Sequence, residues 1–166
     1  QTNKIELTKT RLINQMDNSE LNYIKTRIKR EEGYKLLPYT LEYGKDKIVK
    51  EDFQTGGYGH KIKKGETHAH FTYTREYWER VFEKDFEKAH NGALKLLGDN
   101  INPVAVGIVT EMVYQMGYNG VSKFKETLKL INNENYYAAS DEMLDSNWAH
   151  QTPKRALRLS KILRNI

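Results

Sequence analysis

The sequence predicts an α+β protein in which a helix and a small β-meander precede a larger, entirely helical region. Two observations predict this class. Apolar residues recur at intervals of three and four on both sides of residues 36–62, a spacing typical of helices. Residues 36–62 are themselves rich in Tyr, Thr, Ile, Val and Phe and contain several glycines, a composition typical of short strands and turns. The order helix, strands, helices indicates an α+β domain.

The N-terminal helices are predicted from residue spacing and from capping residues. Residues 5–16 are compatible with a helix. Ser19 is a candidate N-cap for a second helix over residues 20–32, and Gly33 is its expected C-cap. The apolar stripe of this second helix consists of Leu21, Ile24 and Ile28.

Three short strands are predicted to follow as a meander, at residues 37–43, 48–49 and 53–58, with a turn at residues 44–46. The run Thr55–His60 has three glycines, which is too many for the interior of a strand. Glycines there indicate the close approach of a ligand or of another backbone segment, although a solvated hairpin loop has the same pattern.

The remainder of the chain is predicted to be helical. Thr74 is expected to cap a long helix over residues 75–97. Pro103 opens a helix that is apolar almost all round, so we expect this helix to be buried at the centre of the domain and to end at Gly117. Three further helices are predicted at residues 121–132, 136–146 and 153–165.

Composition restricts the possible classes of function. The net charge of +5 favours anionic partners such as nucleic acid, anionic lipid or acidic wall polymers. The absence of cysteine excludes disulfides, thiol nucleophiles and Cys-based zinc sites. No apolar run approaches the ~20 residues of a membrane span, and no signal peptide is visible. His68 and His70 are close in sequence, but no carboxylate-rich or HExxH pattern frames them, so neither a metal nor another cofactor is expected.

Glu32 is the strongest candidate for chemistry. It lies near the apolar stripe and at the C-terminal end of its helix, where the helix dipole is negative. Both surroundings disfavour a carboxylate, so we expect a raised pKa, as a general acid near neutral pH requires. An ordinary surface glutamate beside Glu31 fits the same position. Glu111 and Gln115 form a polar pair on one face of the central helix, indicating an internal hydrogen-bond network or the lining of a cleft.

Four blocks of sequence carry a family resemblance. They are Lys29–Gly33 with Tyr39, then Thr55–His60, then Glu111–Gly117 with Gly120, Val121 and Phe124, and finally Trp148–Ala156 with Arg158. In this order the blocks resemble the phage lysozyme (endolysin) family, glycoside hydrolase family 24, and especially the T-even phage lysozymes. The resemblance extends over about residues 20–164.

The resemblance implies a two-lobed, lysozyme-like fold with a glycan-binding cleft between the lobes. The lysozyme-like domain is expected at residues 19–166, preceded by an N-terminal helical extension at residues 1–18. Within the domain, a small β-meander lobe is expected at about residues 34–72 and a helical lobe at about residues 74–166.

The resemblance also implies roles for individual residues. Glu32 protonates the glycosidic oxygen, Thr55 helps to hold the attacking water, and Arg155 lies near Glu32 and organises it. His60 is expected to be structural and to pair with Asp85. The implied substrate-binding positions are Lys61, Tyr114, Gln115, Thr127 and Trp148, of which Gln115 and Trp148 are expected to pack and hydrogen-bond beneath the cleft.

One departure from the family pattern concerns the second catalytic carboxylate. Many members have an aspartate two residues after the tyrosine, but here that position is Leu41, and extra residues precede Thr55. Because leucine cannot act as a base, another carboxylate is needed for a two-carboxylate mechanism. The candidates are Glu42, which is our first choice, and Asp46, Glu51 and Asp52. If none serves, Glu32 alone would support a lytic transglycosylase, in which the 6-hydroxyl of the sugar attacks.

The predicted reaction is cleavage of the β-1,4 bond between N-acetylmuramic acid and N-acetylglucosamine in bacterial peptidoglycan. We expect a phage protein that acts on the host cell wall in the periplasm, without a cofactor or an obligate nucleic-acid partner. It is expected to be a monomer or a domain of a larger virion protein. There are two alternatives. One is a nucleic-acid-binding or anionic-polymer-binding module that uses the basic C-terminal helix, and the other is an inactive virion protein.

Overall fold

A computed structural model describes residues 16–40, 54–63, 65, 66, 68 and 72–166 of the chain. The predicted helix at residues 5–16, apart from its last residue, and the predicted strand at residues 48–49 lie outside this part. The described elements are, in chain order, α1 (Asn18–Glu32), β1 (Lys35–Thr40), β2 (Gln54–Gly57), β3 (His60–Lys61), α2 (Arg75–Leu96), α3 (Pro103–Ser122), α4 (Lys125–Asn132), α5 (Tyr136–Glu142), α6 (Asn147–Gln151) and α7 (Pro153–Arg164). A small antiparallel sheet followed by helices confirms the α+β class.

Helix α1 is capped at both ends by side-chain and backbone chemistry. Asp17, rather than the predicted Ser19, is the N-cap, because its carboxylate accepts hydrogen bonds from the backbone N–H of Glu20 (2.8 Å) and from the hydroxyl of Ser19 (2.5 Å). These bonds, that from Ser19 foremost, lower the pKa of Asp17. Gly33 caps the other end as predicted: its φ is +70°, and its N–H donates to the carbonyl of Lys29 at 3.0 Å.

The sheet has the order β1-β2-β3 with antiparallel pairing throughout. Thr55 pairs with Tyr39 on one side and with Lys61 on the other. The predicted strand at residues 53–58 corresponds to β2, and Gly56 and Gly57 are its last two residues. The two-residue strand β3 was not predicted, because so short a strand has no periodicity to detect.

Helix α3 is the buried central helix. The side chain of Asn102 caps it by accepting from the N–H of Val104 at 2.9 Å, and every residue from Ala105 to Val113 is buried. Gly117 interrupts the helix with φ 79° and ψ 162°, but the helix resumes beyond this kink to Ser122. No helix in the described ranges is long and apolar enough to cross a membrane.

The last helices differ from the prediction in two respects. The predicted helix over residues 136–146 ends early, at Glu142, and the short helix α6, which was not predicted, follows after a break. The break occurs because Ser146 adopts an extended backbone and caps α6, its hydroxyl accepting from the N–H of Ala149 at 3.1 Å. The predicted helix at residues 121–132 begins later, at Lys125, after Phe124.

Contacts divide the chain into two compact units. The described residues of Thr26–Glu87 form one unit, which contains the sheet and a core cluster of Ile62, Tyr73 and Trp78. The described residues of Gln1–Lys25 form the other unit together with Lys88–Ile166. The boundary therefore falls within α1 and within α2.

Candidate active site

The carboxyl group of Glu32 lies against the backbone of the glycine-rich turn. A Cβ added to Gly59 would be 2.6 Å from Glu32 Oε2 and 3.3 Å from its Cδ. Gly59 also has a φ of +76°, a conformation that residues with side chains rarely adopt. Both observations explain why glycine occupies position 59. The group that approaches the turn here is the Glu32 side chain, rather than the ligand or backbone segment that the sequence indicated.

A second contact network joins the last turn of α1 to this turn and to α2. The ammonium group of Lys29 lies 2.7 Å from Glu79 Oε2, and the hydroxyl of Tyr58 donates to Glu79 Oε1 at 2.8 Å. The Lys29 ammonium also lies over the rings of Tyr58 and Phe82, at 4.9 and 4.7 Å from the ring centroids. Glu79 thus connects Lys29, three residues before Glu32, with Tyr58, the residue just before Gly59.

The charges in this network shift two pKa values. The hydrogen bond from Lys29, and to a smaller extent that from Tyr58, lowers the pKa of Glu79. Burial, followed by the hydrogen bond to Glu79, raises the pKa of Tyr58. Both shifts favour a carboxylate beside a neutral phenol, so the network is held by a charge-assisted hydrogen bond. Glu79 was not predicted from the sequence, since nothing local distinguishes it from the other charged residues of α2.

Thr55 and Lys61 lie on neighbouring strands at paired positions, with Thr55 half-buried and Lys61 exposed. The strand that carries Thr55 continues into Gly56 and Gly57, and the indole of Trp78 lies directly against these two glycines. Thr55, Glu32 and Lys61 all belong to the unit Thr26–Glu87.

His60 is held between two carboxylates. Its Nδ1 is 2.6 Å from Asp85 Oδ2, the contact that the family resemblance implied, and its Nε2 is 2.9 Å from Glu66 Oε2. The hydrogen bond to Asp85 is the main reason that the pKa of His60 is raised, and the bond to Glu66 adds to it against the opposing effect of burial. Both ring nitrogens are engaged, which suits a structural role. Glu66 was not predicted as a partner.

Gln115 and Trp148 interact within the other unit. The indole N–H of Trp148 donates to Gln115 Oε1 at 2.8 Å, and Phe124 packs edge-on against the indole with ring centroids 6.0 Å apart. Tyr114 on α3 is half-buried. Thr127 on α4 is only 3% exposed, so most of its surface is covered by protein.

The fully buried Glu111 is paired with two arginines of α7. Its Oε1 accepts from Arg155 Nε at 3.3 Å and from Arg158 Nη2 at 2.9 Å. The sequence pattern predicted a polar pair of Glu111 with Gln115 and not this pairing, although a buried carboxylate in an otherwise apolar helix needs a cationic partner. The predicted position of Arg155 beside Glu32 stays a prediction.

The structure describes none of the candidate second carboxylates, and it describes only part of the chain in which a metal site could lie. Glu42 and the other candidate second carboxylates, Asp46, Glu51 and Asp52, lie outside the described residues. In the described ranges, no group of three or more His, Asp or Glu residues is arranged to hold a metal ion.

The chain is similar to known proteins over most of its length. A family model described as phage lysozyme matches residues 29–161. The probable T4-type lysozyme 1 of Dictyostelium discoideum is 34% identical over 63% of this chain and 64% of its own length. The probable T4-type lysozyme 2 of the same organism is 32% identical over 84% of this chain and 92% of its own length. The peptidoglycan hydrolase gp36 of Pseudomonas phage phiKMV is 31% identical over 60% of this chain and 11% of its own length.

Proposed function

The chain belongs to the phage lysozyme family, and from this premise we propose that it is a glycosidase that degrades bacterial peptidoglycan. The bond cleaved is the β-1,4 linkage between N-acetylmuramic acid and N-acetylglucosamine. The observation that carries the proposal is the position of Glu32, at the end of α1 and with its carboxyl group against the turn at Gly59.

Glu32 acts as the general acid. Partial burial and the negative end of the α1 dipole favour the protonated carboxyl, which donates its proton to the departing glycosidic oxygen. The contact with Gly59 restricts where this carboxyl can lie, and positioning of this kind contributes strongly to catalysis. Positive charge develops on the sugar as the bond breaks.

Thr55 holds the water that attacks the sugar, and a second carboxylate activates this water. Glu42 is the first choice for that carboxylate, ahead of Asp46, Glu51 and Asp52. The proposed substrate-binding residues are Lys61, Tyr114, Gln115, Thr127 and Trp148. Arg155 supports Glu32, while His60 and Asp85 support the sheet through their hydrogen bond.

The proposed substrate is polymeric and lies in the bacterial cell wall. We propose that the protein is of phage origin, acts in the host periplasm and contributes to lysis of the host cell. The reaction needs no cofactor, because proton donation, water activation and sugar binding all come from side chains.

The test compares Glu32→Gln with Glu31→Gln on purified peptidoglycan. Glu31 is the exposed neighbouring glutamate, so its variant controls for a change from glutamate to glutamine at the same end of α1. We expect Glu32→Gln to lose activity by about 100-fold or more, the scale of general acid catalysis, with an unchanged melting temperature. Normal activity of Glu32→Gln would overturn the assignment.

The second carboxylate is tested by single alanine variants of Glu42, Asp46, Glu51 and Asp52. The carboxylate that activates water should be the one whose loss reduces activity to near that of Glu32→Gln. If all four variants stay active, none of these side chains is an essential base. Mass spectrometry of the products then distinguishes a reducing sugar, the product of hydrolysis, from an anhydro-sugar, the product of transglycosylation.

A further inference from the structure

Trp78 is almost completely buried, with 1% of its surface exposed, and it contacts the sheet through two kinds of interaction. Its indole N–H donates to the carbonyl oxygen of Leu36 in β1 at 2.8 Å. Its ring carbons lie against β2. A Cβ added to Gly56 would come within 2.5 Å of them, and one added to Gly57 within 2.4 Å. Distances this short leave no room for any side chain at these two positions, so the glycines and the indole are complementary in shape.

The indole is itself held in place by other aromatic residues. The ring of Tyr73 is parallel to it, with an interplanar angle of 6° and a centroid distance of 5.4 Å. The ring of Tyr77 packs edge-on at 5.0 Å, and His60 of β3 lies 6.3 Å away. All three strands of the sheet therefore have a residue near Trp78. A buried ring with this many neighbours has little freedom to move, since protein interiors are densely packed.

The position of β2 matters to the proposed chemistry at both ends of the glycine pair. Thr55, the proposed water-holding residue, immediately precedes Gly56. Gly59, which contacts the carboxyl group of Glu32, follows Gly57 by two residues. A shift of β2 toward or away from the indole would therefore move Thr55 and the surface against which Glu32 lies.

From these contacts we propose that Trp78 is a positioning residue for catalysis, which sets the glycine strand so that Thr55 and Gly59 lie correctly relative to Glu32. This proposal rests on the proposed function, because the roles of Glu32 and Thr55 in glycan cleavage are assigned there. Trp78 does not itself touch the reacting atoms in this proposal.

Two single variants and their combination test the proposal on soluble glycan strands. Gly56 faces the outer indole atoms Cη2 and Cζ2, whereas Gly57 faces Cε3, Cδ2 and Cγ. Phenylalanine lacks the outer indole atoms and the N–H, so Trp78→Phe loses the bond to Leu36 and opens space next to Gly56. Gly56→Ala pushes β2 away from the intact indole.

Each single variant should lower kcat by about tenfold and leave KM within about twofold, because a misplacement near 1 Å can cost about 100-fold. The double variant Gly56→Ala/Trp78→Phe should have a higher kcat than Gly56→Ala alone, since the added methyl group then fits into the vacated space. Gly57→Ala should not be rescued by Trp78→Phe, because its Cβ meets atoms near the ring attachment and its φ is +57°.

The matched control is Phe86→Leu, a buried aromatic on the same helix. It should lower the melting temperature without lowering kcat, measured well below that temperature. Any of three results would overturn the proposal. These are an equal loss of kcat in this control, a wild-type kcat in both single variants, and a kcat of the double variant no higher than that of Gly56→Ala. Should Trp78→Phe not fold at the assay temperature, Gly56→Ala alone decides, with a wild-type kcat counting against the proposal.

Glu32→Gln is measured in parallel to separate this proposal from the proposed function. If Glu32→Gln retains activity, the proposed function fails. If Glu32→Gln is inactive while Trp78→Phe and Gly56→Ala both keep a wild-type kcat, only the positioning role of Trp78 is wrong.

Discussion

The carboxyl group of Glu32 and the α-carbon of Gly59 are in such close contact that a methyl group on Gly59 would lie 2.6 Å from Glu32 Oε2. The two residues come from different elements, the end of α1 and the turn between β2 and β3. Their contact brings the proposed proton donor to the glycine-rich turn, which directly follows the strand that carries Thr55.

Gly59→Ala should reduce both stability and activity. The positive φ costs about 1–2 kcal/mol for a residue with a side chain, and the new methyl group must also displace the Glu32 carboxyl. Gly33→Ala is the matched control, because its φ is +70° and a Cβ there would have no described atom within 4 Å. We expect a larger loss of unfolding free energy in urea titrations for Gly59→Ala than for Gly33→Ala, and a large loss of glycan cleavage only for Gly59→Ala. Equal activities in the two variants would show that this contact does not matter for the reaction.

Glu79→Ala should destabilise the protein more than Tyr58→Phe does, because it removes the partner of both Lys29 and Tyr58. The folded-state pKa of Glu79 is lowered, so its contribution is present above its unfolded pKa of about 4.5 and is lost as the pH falls through the folded value. The difference in melting temperature from wild type should therefore be larger near neutral pH than near pH 3. Glu76→Ala, an exposed carboxylate in the first turn of the same helix, should show little effect, and a pH-independent difference for Glu79→Ala would contradict this explanation.

Asp85→Asn should have the opposite pH dependence. The folded-state pKa of His60 is raised, so the stabilisation is fully present below the unfolded value of about 6.5 and is lost as the pH rises through the folded pKa. We expect a loss of about 1–3 kcal/mol in unfolding free energy at about pH 5.5, and a progressively smaller loss at higher pH. Urea unfolding across this range, with the exposed Glu87→Gln as control, measures the effect. A loss that does not change with pH would show that the charge of His60 is not involved.

Glu111→Ala should be among the most destabilising substitutions in the helical unit. Glu111 is completely buried, and its removal leaves the guanidinium groups of Arg155 and Arg158 without this carboxylate. Breaking a buried ion pair from one side typically costs about 3–5 kcal/mol. Chemical denaturation should show a loss of this size, against less than about 0.5 kcal/mol for the exposed Glu142→Ala. A loss below about 1 kcal/mol would mean that water or other groups readily replace Glu111.

Local chemistry allowed much of the fold to be predicted from the sequence. Thr74 does cap α2, with its hydroxyl accepting from the N–H of Tyr77 at 3.1 Å, and Pro103 does begin α3. Gly33 ends α1 as expected. These predictions succeed because a cap depends on residues within one turn of each other, so the sequence contains all the participants.

Contacts between distant residues were harder to predict. Glu111 and Arg158 are separated by 47 positions, and Lys29 and Glu79 by 50 positions, so no local pattern joins them. The shape match between Trp78 and the glycine pair is a similar case. The glycines indicated a close approach, but the sequence could not show that the indole of Trp78 was their partner.

The kink in α3 illustrates how little free volume says about tolerance to mutation. No described atom lies within 4 Å of the position that a Cβ on Gly117 would occupy, so a substitution there meets no steric clash with the atoms around it. Yet the φ of 79° and ψ of 162° belong to a region of backbone conformation that is essentially restricted to glycine. In a saturation mutagenesis library, position 117 should therefore accept almost no replacement, and any variant that survives should do so by straightening α3 and redirecting the chain beyond it.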